Sequence, residues 1–325
     1  MTAIKTIGNL EDWRARGSFL EVHGLRIFTT STGSRNAPTL VCLHGFPSSS
    51  ADFHQVLPLL TRKLRVVTHD HPGFGLSDKP DDYSYSLIDQ ADIALGVWKT
   101  LGIREAHLLA HDYGTSVATE ILCRRQRAGI ALKLKSVTLS NGSVFLDMAR
   151  LRLSQRILRN PHIGRMYARL AGKNFFHRRM RGLFARPDSV SESDLDIMWD
   201  AINQYDGRKR LADISYYLFE REKFRDRWTS VLPQINIPAH ILWGRRDPVA
   251  VPAIGQRLAD EIPGARLTWL NHCGHYPMLE DPSEYAEAAL DFLEGLVKRK
   301  RRGIKKAGKA IRKSANKKKT KRSKA

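Results

Sequence analysis

Cysteine is scarce in this chain of 325 residues, which has only Cys42, Cys123 and Cys273. Three is an odd number and the positions are far apart, which favours a reducing compartment and argues against a disulfide framework. The chain also lacks an apolar run of about 18 residues, which argues against a membrane-spanning helix. Its first residues carry acids and a tryptophan where a secretory signal needs apolar side chains. We therefore expect a cytoplasmic protein.

Acidic residues are absent from positions 298–325, which hold 16 Lys and Arg. The rest of the chain has 38 basic and 33 acidic residues, so most of the net charge of +21 belongs to this tail. The tail cannot bury a core and is predicted to be disordered. It also lacks aromatic side chains, which argues against stacking on nucleic-acid bases. The tail is either a solvated extension or an electrostatic contact to nucleic acid or an anionic membrane surface.

Short apolar runs alternate with stretches of helical spacing through most of the chain. A hairpin is predicted over 19–31, followed by strands at 39–43, 65–69, 106–111, 135–139, 237–243 and 265–270. Helices are predicted near 50–60, over 86–101, from the 106–111 strand to about 126, and from Pro282 onward. This alternation predicts the α/β class, with a mostly parallel central sheet and helices on both faces.

The pattern changes between residues 143 and 230, where helical segments occur and no strand is predicted. Ser191 is the expected N-cap of one of these helices. An insertion at this point is expected to lie over the carboxyl ends of the strands, where ligands bind in open α/β sheets. The predicted organisation is a core in two parts, 1–142 and 231–297, a helical cap over 143–230, and the tail over 298–325.

A sharp turn is predicted where the strand ending at His111 meets the helix that follows. The segment around Asp112 and Gly114 resembles the nucleophile elbow of α/β-hydrolases, with Asp112 where a serine commonly stands. A carboxylate at this point can attack carbon and form a covalent ester. The alternative is that Asp112 only caps the following helix, a frequent role for aspartate.

A general base and its orienting acid are expected after the last two predicted strands. His275 is the preferred base, and His272 is the competitor in the same loop. Asp247 is the preferred acid, which would fix the tautomer of His275. The alternative for Asp247 is a local turn before Pro248. Asn141 stands at the other position where this fold places the acid, and an amide cannot serve.

Backbone donors for an oxyanion are expected after the strand ending at residue 43. In α/β-hydrolases that loop supplies one N–H and the residue after the nucleophile supplies the other, which here are Phe46 and Tyr113. The neighbouring side chains of His44 and His111 are predicted to contact substrate.

A proton donor for the leaving group is expected in the cap. Tyr216 and Tyr217 are adjacent on a probable helix, so only one of them can face the site well. We expect Tyr217 to do so. The alternative is that each tyrosine only packs within the cap.

Taken together, these motifs resemble the α/β-hydrolase superfamily in its epoxide hydrolase and haloalkane dehalogenase branch, and most of all the mesoderm-specific transcript group. The resemblance spans about residues 13–297. It is carried by the segments at 24–28, 44–50, 73–80, 111–114, 139–142, 198–199, 223–228 and 275–282.

The resemblance implies an epoxide hydrolase in which Asp112 opens the ring and the His275–Asp247 pair activates a water. A small apolar electrophile is the expected substrate, and no cofactor or metal ligand set is expected. Tyr113 stands where this branch usually has tryptophan. Epoxide hydrolases use two cap tyrosines, and the second one is not placed here, although Tyr167 is a candidate. The alternatives are hydrolysis of carbon–halogen bonds by the same aspartate, or a binding or regulatory protein on a hydrolase scaffold.

Overall fold

The computed structural model describes residues 6–127 and 129–298. The chain divides after Ala286, and the part of the second unit that is described, 287–298, is helical. The predicted basic tail lies outside the described residues except for Lys298. Within residues 6–127 and 129–298, no helix combines the length and hydropathy needed to cross a bilayer.

A single sheet of eight strands organises the first unit. The order across the sheet is β1-β2-β4-β3-β5-β6-β7-β8, with β1, β2 and β4 joined antiparallel and the other neighbours parallel. The strands are β1 (Gly17–Val22), β2 (Leu25–Thr32), β3 (Thr39–Leu43), β4 (Arg65–His69), β5 (Glu105–His111), β6 (Lys133–Ser140), β7 (Ala239–Gly244) and β8 (Arg266–Leu270). The predicted α/β class with a mostly parallel sheet is confirmed.

Helices follow most of the parallel strands. The α-helices are α1 (Leu10–Arg14), α2 (Leu57–Leu60), α3 (Leu87–Thr100), α4 (Tyr113–Gln126), α5 (Leu153–Leu158), α6 (Pro161–Leu170), α7 (Lys173–Arg181), α8 (Glu192–Asn203), α9 (Leu211–Ile214), α10 (Tyr217–Lys223), α11 (Arg225–Thr229), α12 (Pro252–Glu261) and α13 (Pro277–Glu280). A last helix, α14, covers 282–298 and begins at Pro282 as predicted. The helix predicted near 50–60 was wrong in extent, because this stretch holds a 3-10 turn at Ser50–Phe53 and the single turn of α2.

The central strands are apolar on both faces because helices cover both. Every residue of β7 is buried, as are Val41 and its neighbours in β3. In a parallel sheet this requires continuous apolar runs rather than alternation. The carboxyl ends of β3, β5, β6 and β7 therefore lie side by side at one edge of the sheet, which is where the loops carrying the candidate residues begin.

The segment between β6 and β7 consists of α5 to α11 with three 3-10 turns, and no strand is found between residues 141 and 238. Ser191 caps α8 as predicted, since its Oγ accepts a hydrogen bond from the backbone N–H of Asp194. The predicted boundaries of a separate cap domain at 143 and 230 stay a prediction.

A buried carboxylate ties the end of this insertion to the core. Glu120 on α4 is fully buried and accepts hydrogen bonds from Arg124, from two nitrogens of Arg227 and from the indole N–H of Trp228. Burial alone raises the pKa of this carboxyl, but the bonds from Arg227, Trp228 and Arg124 outweigh it and lower the pKa overall. Glu120 is therefore charged and fully paired, which fixes α11 against α4.

Replacing this carboxylate tests the anchor. Glu120→Gln is expected to lower the free energy of unfolding by roughly 2 kcal/mol, because Arg227 loses its counter-charge and Arg124 keeps only Asp92. Urea denaturation measures the change. The matched control is Glu105→Gln, which breaks the exposed pair with Lys135 and is expected to cost less than about 0.5 kcal/mol. Equal losses in the two variants would contradict the anchoring role.

Candidate active site

The turn between β5 and α4 holds Asp112 in a strained backbone conformation. Its φ of 44° lies in the left-handed region, which aspartate adopts at a cost of about 1–3 kcal/mol. The strain is held from both sides, because the Asp112 N–H donates to the carbonyl of Ser140 and its carbonyl accepts the Thr115 hydroxyl. A Cβ at Gly114 would lie 2.6 Å from the Leu43 carbonyl oxygen, so only glycine fits there.

The side chain of Asp112 does not cap α4, so the alternative role considered from the sequence is wrong. Its Oδ2 instead accepts a hydrogen bond of 2.9 Å from the backbone N–H of Phe46. Gly45 allows this approach, since a Cβ there would lie 2.9 Å from the Asp112 Cβ. The carboxylate is almost completely buried, and its second oxygen, Oδ1, does not take part in this hydrogen bond.

His275 faces that second oxygen. Its Nε2 lies 3.9 Å from Asp112 Oδ1, and its Nδ1 lies 2.7 Å from Asp247 Oδ2. The Asp247 bond assigns the proton to Nδ1 and leaves Nε2 free to accept one. The three predicted side chains, which are up to 163 positions apart in sequence, are thus brought together. His272, the competitor, is exposed.

Asp247 is held by groups on both of its oxygens. Its Oδ1 accepts from the backbone N–H groups of Val249 and Ala250, at 2.7 and 2.9 Å. Its Oδ2 accepts from the amide of Asn141 at 2.7 Å. The local turn and the orienting role, which the sequence analysis treated as alternatives, therefore occur together.

Asn141 is a site residue that the sequence analysis missed. It was considered only as a failed acid, but its side-chain Nδ2 donates to Asp247 while its side-chain Oδ1 accepts from the Gly244 N–H at 3.0 Å. Its backbone φ of 47° is again left-handed. The sequence did contain one indication of this role. An asparagine stands directly after a buried strand, and asparagine tolerates a left-handed backbone conformation better than most residues.

The pKa of His275 is raised above its usual value. Burial lowers it, but the charge and hydrogen bond of Asp247, and then the charges of Asp112 and Asp52, outweigh burial. Asp52 was also missed by the sequence analysis. It is buried beside Ser48, and burial raises its own pKa well above the usual value.

The loop carrying His275 is fastened to the insertion. Glu280 is buried and accepts from the backbone N–H of Gly274 at 2.7 Å and from that of Arg186 at 2.6 Å. The His275 N–H donates to the carbonyl of Leu183 at 2.8 Å. The residues just after α7 thus help to position the imidazole.

A cavity of about 500 Å³ opens above these groups. Its floor includes Asp112, His275, Phe46 and Pro47, and most of its walls come from the insertion. The remaining lining residues are Leu151, Arg152, Leu153, Ser154, Gln155, Arg156, Leu158, Tyr167, Ala168, Ala171, Phe175, Phe176, Arg179, Met180, Leu183, Trp199, Ile202, Arg208, Leu211 and Val249. A cavity of this size and mainly apolar lining suits a small apolar ligand.

The two adjacent tyrosines of the insertion differ in exposure. Tyr217 is 1% exposed and Tyr216 is 52% exposed. The ring of Tyr217 lies 5.7 Å from that of Phe46, and its hydroxyl lies 3.4 Å from the amide nitrogen of Gln155. Tyr217 is not itself a lining residue of the cavity, but it packs against two residues that are, Phe46 and Gln155. Tyr167, the candidate second tyrosine, lines the cavity itself.

His44 and His111 are not among the lining residues of the cavity, so their predicted contact with substrate needs correction. His44 accepts the N–H of His71 on Nε2, and Nδ1 faces the Gly45 carbonyl. His111 Nε2 lies 2.7 Å from the His275 carbonyl oxygen. Both rings are engaged with the backbone behind the site, where they support the loops that carry Phe46 and His275.

Four histidines near the site, His44, His69, His71 and His111, are completely buried. The rings of His69 and His71 are 5.0 Å apart, and no ring nitrogen of either has a hydrogen-bond partner among the described residues. Burial, with the charge of His44, lowers the pKa of His69 to about 3 and that of His71 well below its usual value. Across residues 6–127 and 129–298, no group of three or more His, Cys, Asp and Glu is arranged to hold a metal ion.

Comparison with known proteins finds clear relatives. Residues 40–288 match the alpha/beta hydrolase family. The chain is 38% identical over 288 residues to a protein named putative hydrolase LipZ from Mycobacterium tuberculosis, covering 89% of this chain and 99% of that one. It is 36% identical over 293 residues to the human mesoderm-specific transcript homolog protein, covering 87% and 88%. The predicted resemblance to that group is confirmed.

Solved structures resemble the fold at lower sequence identity. The haloalkane dehalogenase DbeA from Bradyrhizobium elkani has a TM-score of 0.76 at 22% identity, covering 87% of this chain and 99% of that one. An enol-lactonase from Burkholderia xenovorans LB400 has a TM-score of 0.68 at 21% identity, covering 85% and 99%. These likenesses concern the fold alone.

The buried histidines predict how stability depends on pH. The unfolded chain binds a proton at His69 near pH 6.5, but the folded protein does so only near pH 3. Unfolding therefore takes up a proton between these values, and His69 costs about 1.4 kcal/mol of stability for each pH unit that the pH falls through this window. His69→Phe is expected to flatten the fall, as measured by urea denaturation between pH 7 and pH 4. This prediction would be contradicted if the free energy of unfolding of His69→Phe fell with pH as steeply as that of the wild type. It would also be contradicted if the exposed-site control His162→Phe reduced the fall by the same amount.

Proposed function

Since the chain belongs to the alpha/beta hydrolase family, we propose that it hydrolyses an apolar epoxide through a covalent ester on Asp112. The observation that carries the proposal is how the two carboxylate oxygens of Asp112 are held. One of its oxygens accepts from the Phe46 N–H, and the other faces Nε2 of His275 at 3.9 Å. A carboxylate held in this way has one oxygen directed away from its anchoring donor and available to attack carbon.

In the first step, the free oxygen of Asp112 attacks an epoxide carbon, and the carbon–oxygen bond of the ring breaks. The new carbon–oxygen bond makes an alkyl ester, and the released ring oxygen takes a proton. Tyr217 supplies this proton, because its hydroxyl is buried beside the cavity and close to Gln155. Tyr167 is the second candidate donor, since it lines the same cavity.

In the second step, a water between His275 and the ester loses a proton to Nε2 and attacks the ester carbonyl. The separation of 3.9 Å between His275 Nε2 and Asp112 Oδ1 exceeds a direct hydrogen bond, which is consistent with an intervening water. Asp247 stabilises the imidazolium that forms. The oxyanion accepts from the N–H groups of Phe46 and Tyr113. Its collapse breaks the bond between the ester carbonyl carbon and the alkyl oxygen, and that oxygen takes the proton held by His275 as the diol leaves. The second proton of the water leaves the new carboxyl group and reprotonates the Tyr217 phenolate, so the Asp112 carboxylate and the phenol are both restored.

Hydrolysis of carbon–halogen bonds is the second candidate reaction, because it needs the same aspartate and base. The side chains of Tyr113 and Phe46 make it the weaker candidate. Tyr113 is fully buried with its hydroxyl on the Tyr85 carbonyl, and Phe46 presents a hydrocarbon ring. Neither side chain offers the N–H donor that a departing halide needs. A binding or regulatory role remains the alternative outside catalysis.

A cytoplasmic location is also part of the proposal. It is supported by the three cysteines, which are all buried and unpaired. Free thiols persist in a reducing compartment.

Trapping the ester tests the proposed mechanism. In His275→Gln the second step loses its base, so incubation with a panel of aliphatic and aryl epoxides is expected to leave an adduct on the peptide containing Asp112, detected by mass spectrometry. His272→Gln, altered in the same loop, is expected to turn over like the wild type. An Asp112→Asn protein that opened epoxides at the wild-type rate would contradict the proposal. A panel without any turnover or adduct would favour the binding role.

The tyrosine pair offers a matched comparison for proton donation. Tyr217→Phe is expected to lower kcat for epoxides about 100-fold, because the departing alkoxide loses its proton donor. Tyr216→Phe removes an exposed hydroxyl one position away and is expected to leave kcat within about twofold of the wild type. Halide release from a haloalkane needs no proton donor, so it would be insensitive to either change. Equal effects of the two variants on epoxide turnover would contradict the role of Tyr217.

A further inference from the structure

Acidic residues are absent from a stretch of forty positions in the insertion. Residues 148–187 contain ten arginines and one lysine but no aspartate or glutamate. This stretch forms α5, α6 and α7. Six of its cations have no carboxylate partner within the described residues, namely Arg150, Arg152, Arg156, Arg169, Arg178 and Arg179. The others pair with acids that come from outside the stretch, as Lys173 does with Asp196.

The same stretch exposes an apolar stripe. Ile163, Met166 and Leu170 of α6 are 52%, 58% and 77% exposed, and their spacing of three and four positions places them on one face of the helix. Leu153 on α5 and Phe175 on α7 are also exposed. These five account for more than half of the nine large apolar side chains that are exposed in the described part of the chain.

The cavity above Asp112 opens onto this surface. Residues 151–183 supply most of its lining, and Arg152, Leu153 and Arg179 both line the cavity and are exposed. Residues that do both lie at the mouth. An apolar ligand entering the cavity therefore passes between the exposed apolar side chains and arginines of α5 and α7.

We propose that this surface, residues 148–187 around the cavity mouth, docks on an anionic lipid bilayer. An amphipathic helix with an apolar stripe flanked by arginines is the composition that binds in the headgroup region, with its apolar face in the acyl boundary. Ile163, Met166 and Leu170 enter the bilayer, and the unpaired arginines contact lipid phosphates. The cavity mouth then faces the phase in which apolar substrates dissolve.

Other occupants fit this surface less well. Nucleic acid would satisfy the arginines but would leave the apolar stripe of α6 in water. A second copy of the chain docked through the same face would bring two arginine-rich surfaces together, and like charges facing each other oppose association. The bilayer satisfies both the charge and the apolar area.

A fluorophore placed on the stripe tests the docking in the full-length protein. The sequence at 298–325 is itself basic and will attract anionic vesicles, so the measurement must report position. Met166→Cys is labelled with an environment-sensitive dye, which is practical because the native cysteines are buried. Thr100→Cys at the end of α3, which is also exposed and lies outside the surface, is the matched control. Vesicles of phosphatidylcholine with phosphatidylglycerol are expected to shift the emission to the blue at position 166 only.

A second measurement compares vesicle affinity. The triple variant Ile163→Ser, Met166→Ser and Leu170→Ser is expected to bind the same vesicles about 100-fold more weakly than the wild type, because three apolar side chains no longer enter the bilayer. Tyr205→Ser with Tyr216→Ser, which removes two half-exposed aromatic side chains outside this surface, is expected to bind like the wild type.

Four results would overturn the proposal. The protein could fail to bind anionic vesicles, or it could bind them without a change in emission at position 166. A shift that appears without vesicles and grows with protein concentration would assign the surface to a second copy. A shift produced by an acidic polypeptide but not by vesicles would assign it to an acidic protein partner.

Discussion

The site depends on one constraint, the left-handed backbone of Asp112 at the end of β5. Because the φ of Asp112 is 44°, the backbone turns sharply at this residue. The carboxylate is therefore directed toward the Phe46 N–H instead of the amino end of α4. The close packing at Gly114 and Gly45 makes this possible, because a Cβ at either position would meet neighbouring atoms at 2.9 Å or less. The strain is maintained by the surrounding strands, which is the usual way in which proteins hold such geometry at a reactive group.

The second element of the site is a chain of hydrogen bonds that starts in the core and ends at the imidazole. Asn141 and the N–H groups of Val249 and Ala250 hold Asp247, and Asp247 holds His275. Glu280 links the same loop to the segment after α7. The position of the His275 imidazole therefore depends on the insertion as well as on the sheet. A change in how the insertion packs would shift the His275 imidazole, because these hydrogen bonds connect the two. The same insertion forms most of the cavity walls.

Much of the sheet was predictable because β3 and β4 are short apolar runs between polar turns, and their predicted bounds match the structure. The stretch 50–60 was harder, because Pro58 and the cap at Ser49 break it into single turns that leave no helical periodicity. Asp112, Asp247 and His275 were recognisable from their places after strands. His44 and His111 were misjudged because nearness in sequence does not determine which face of a loop a side chain occupies. Asn141 was missed because its bond to Asp247 spans 106 positions.

The central claim is that the oxygen added to the product comes from Asp112 and that water replaces it afterwards. The direct measurement is a single turnover of a reactive epoxide in water enriched in oxygen-18, with mass spectrometry of the diol and of the peptide containing Asp112. The account predicts an unlabelled diol in the first turnover and oxygen-18 in the Asp112 carboxylate. A labelled diol together with an unlabelled Asp112 would mean that water attacks the substrate directly, and the covalent mechanism would be wrong.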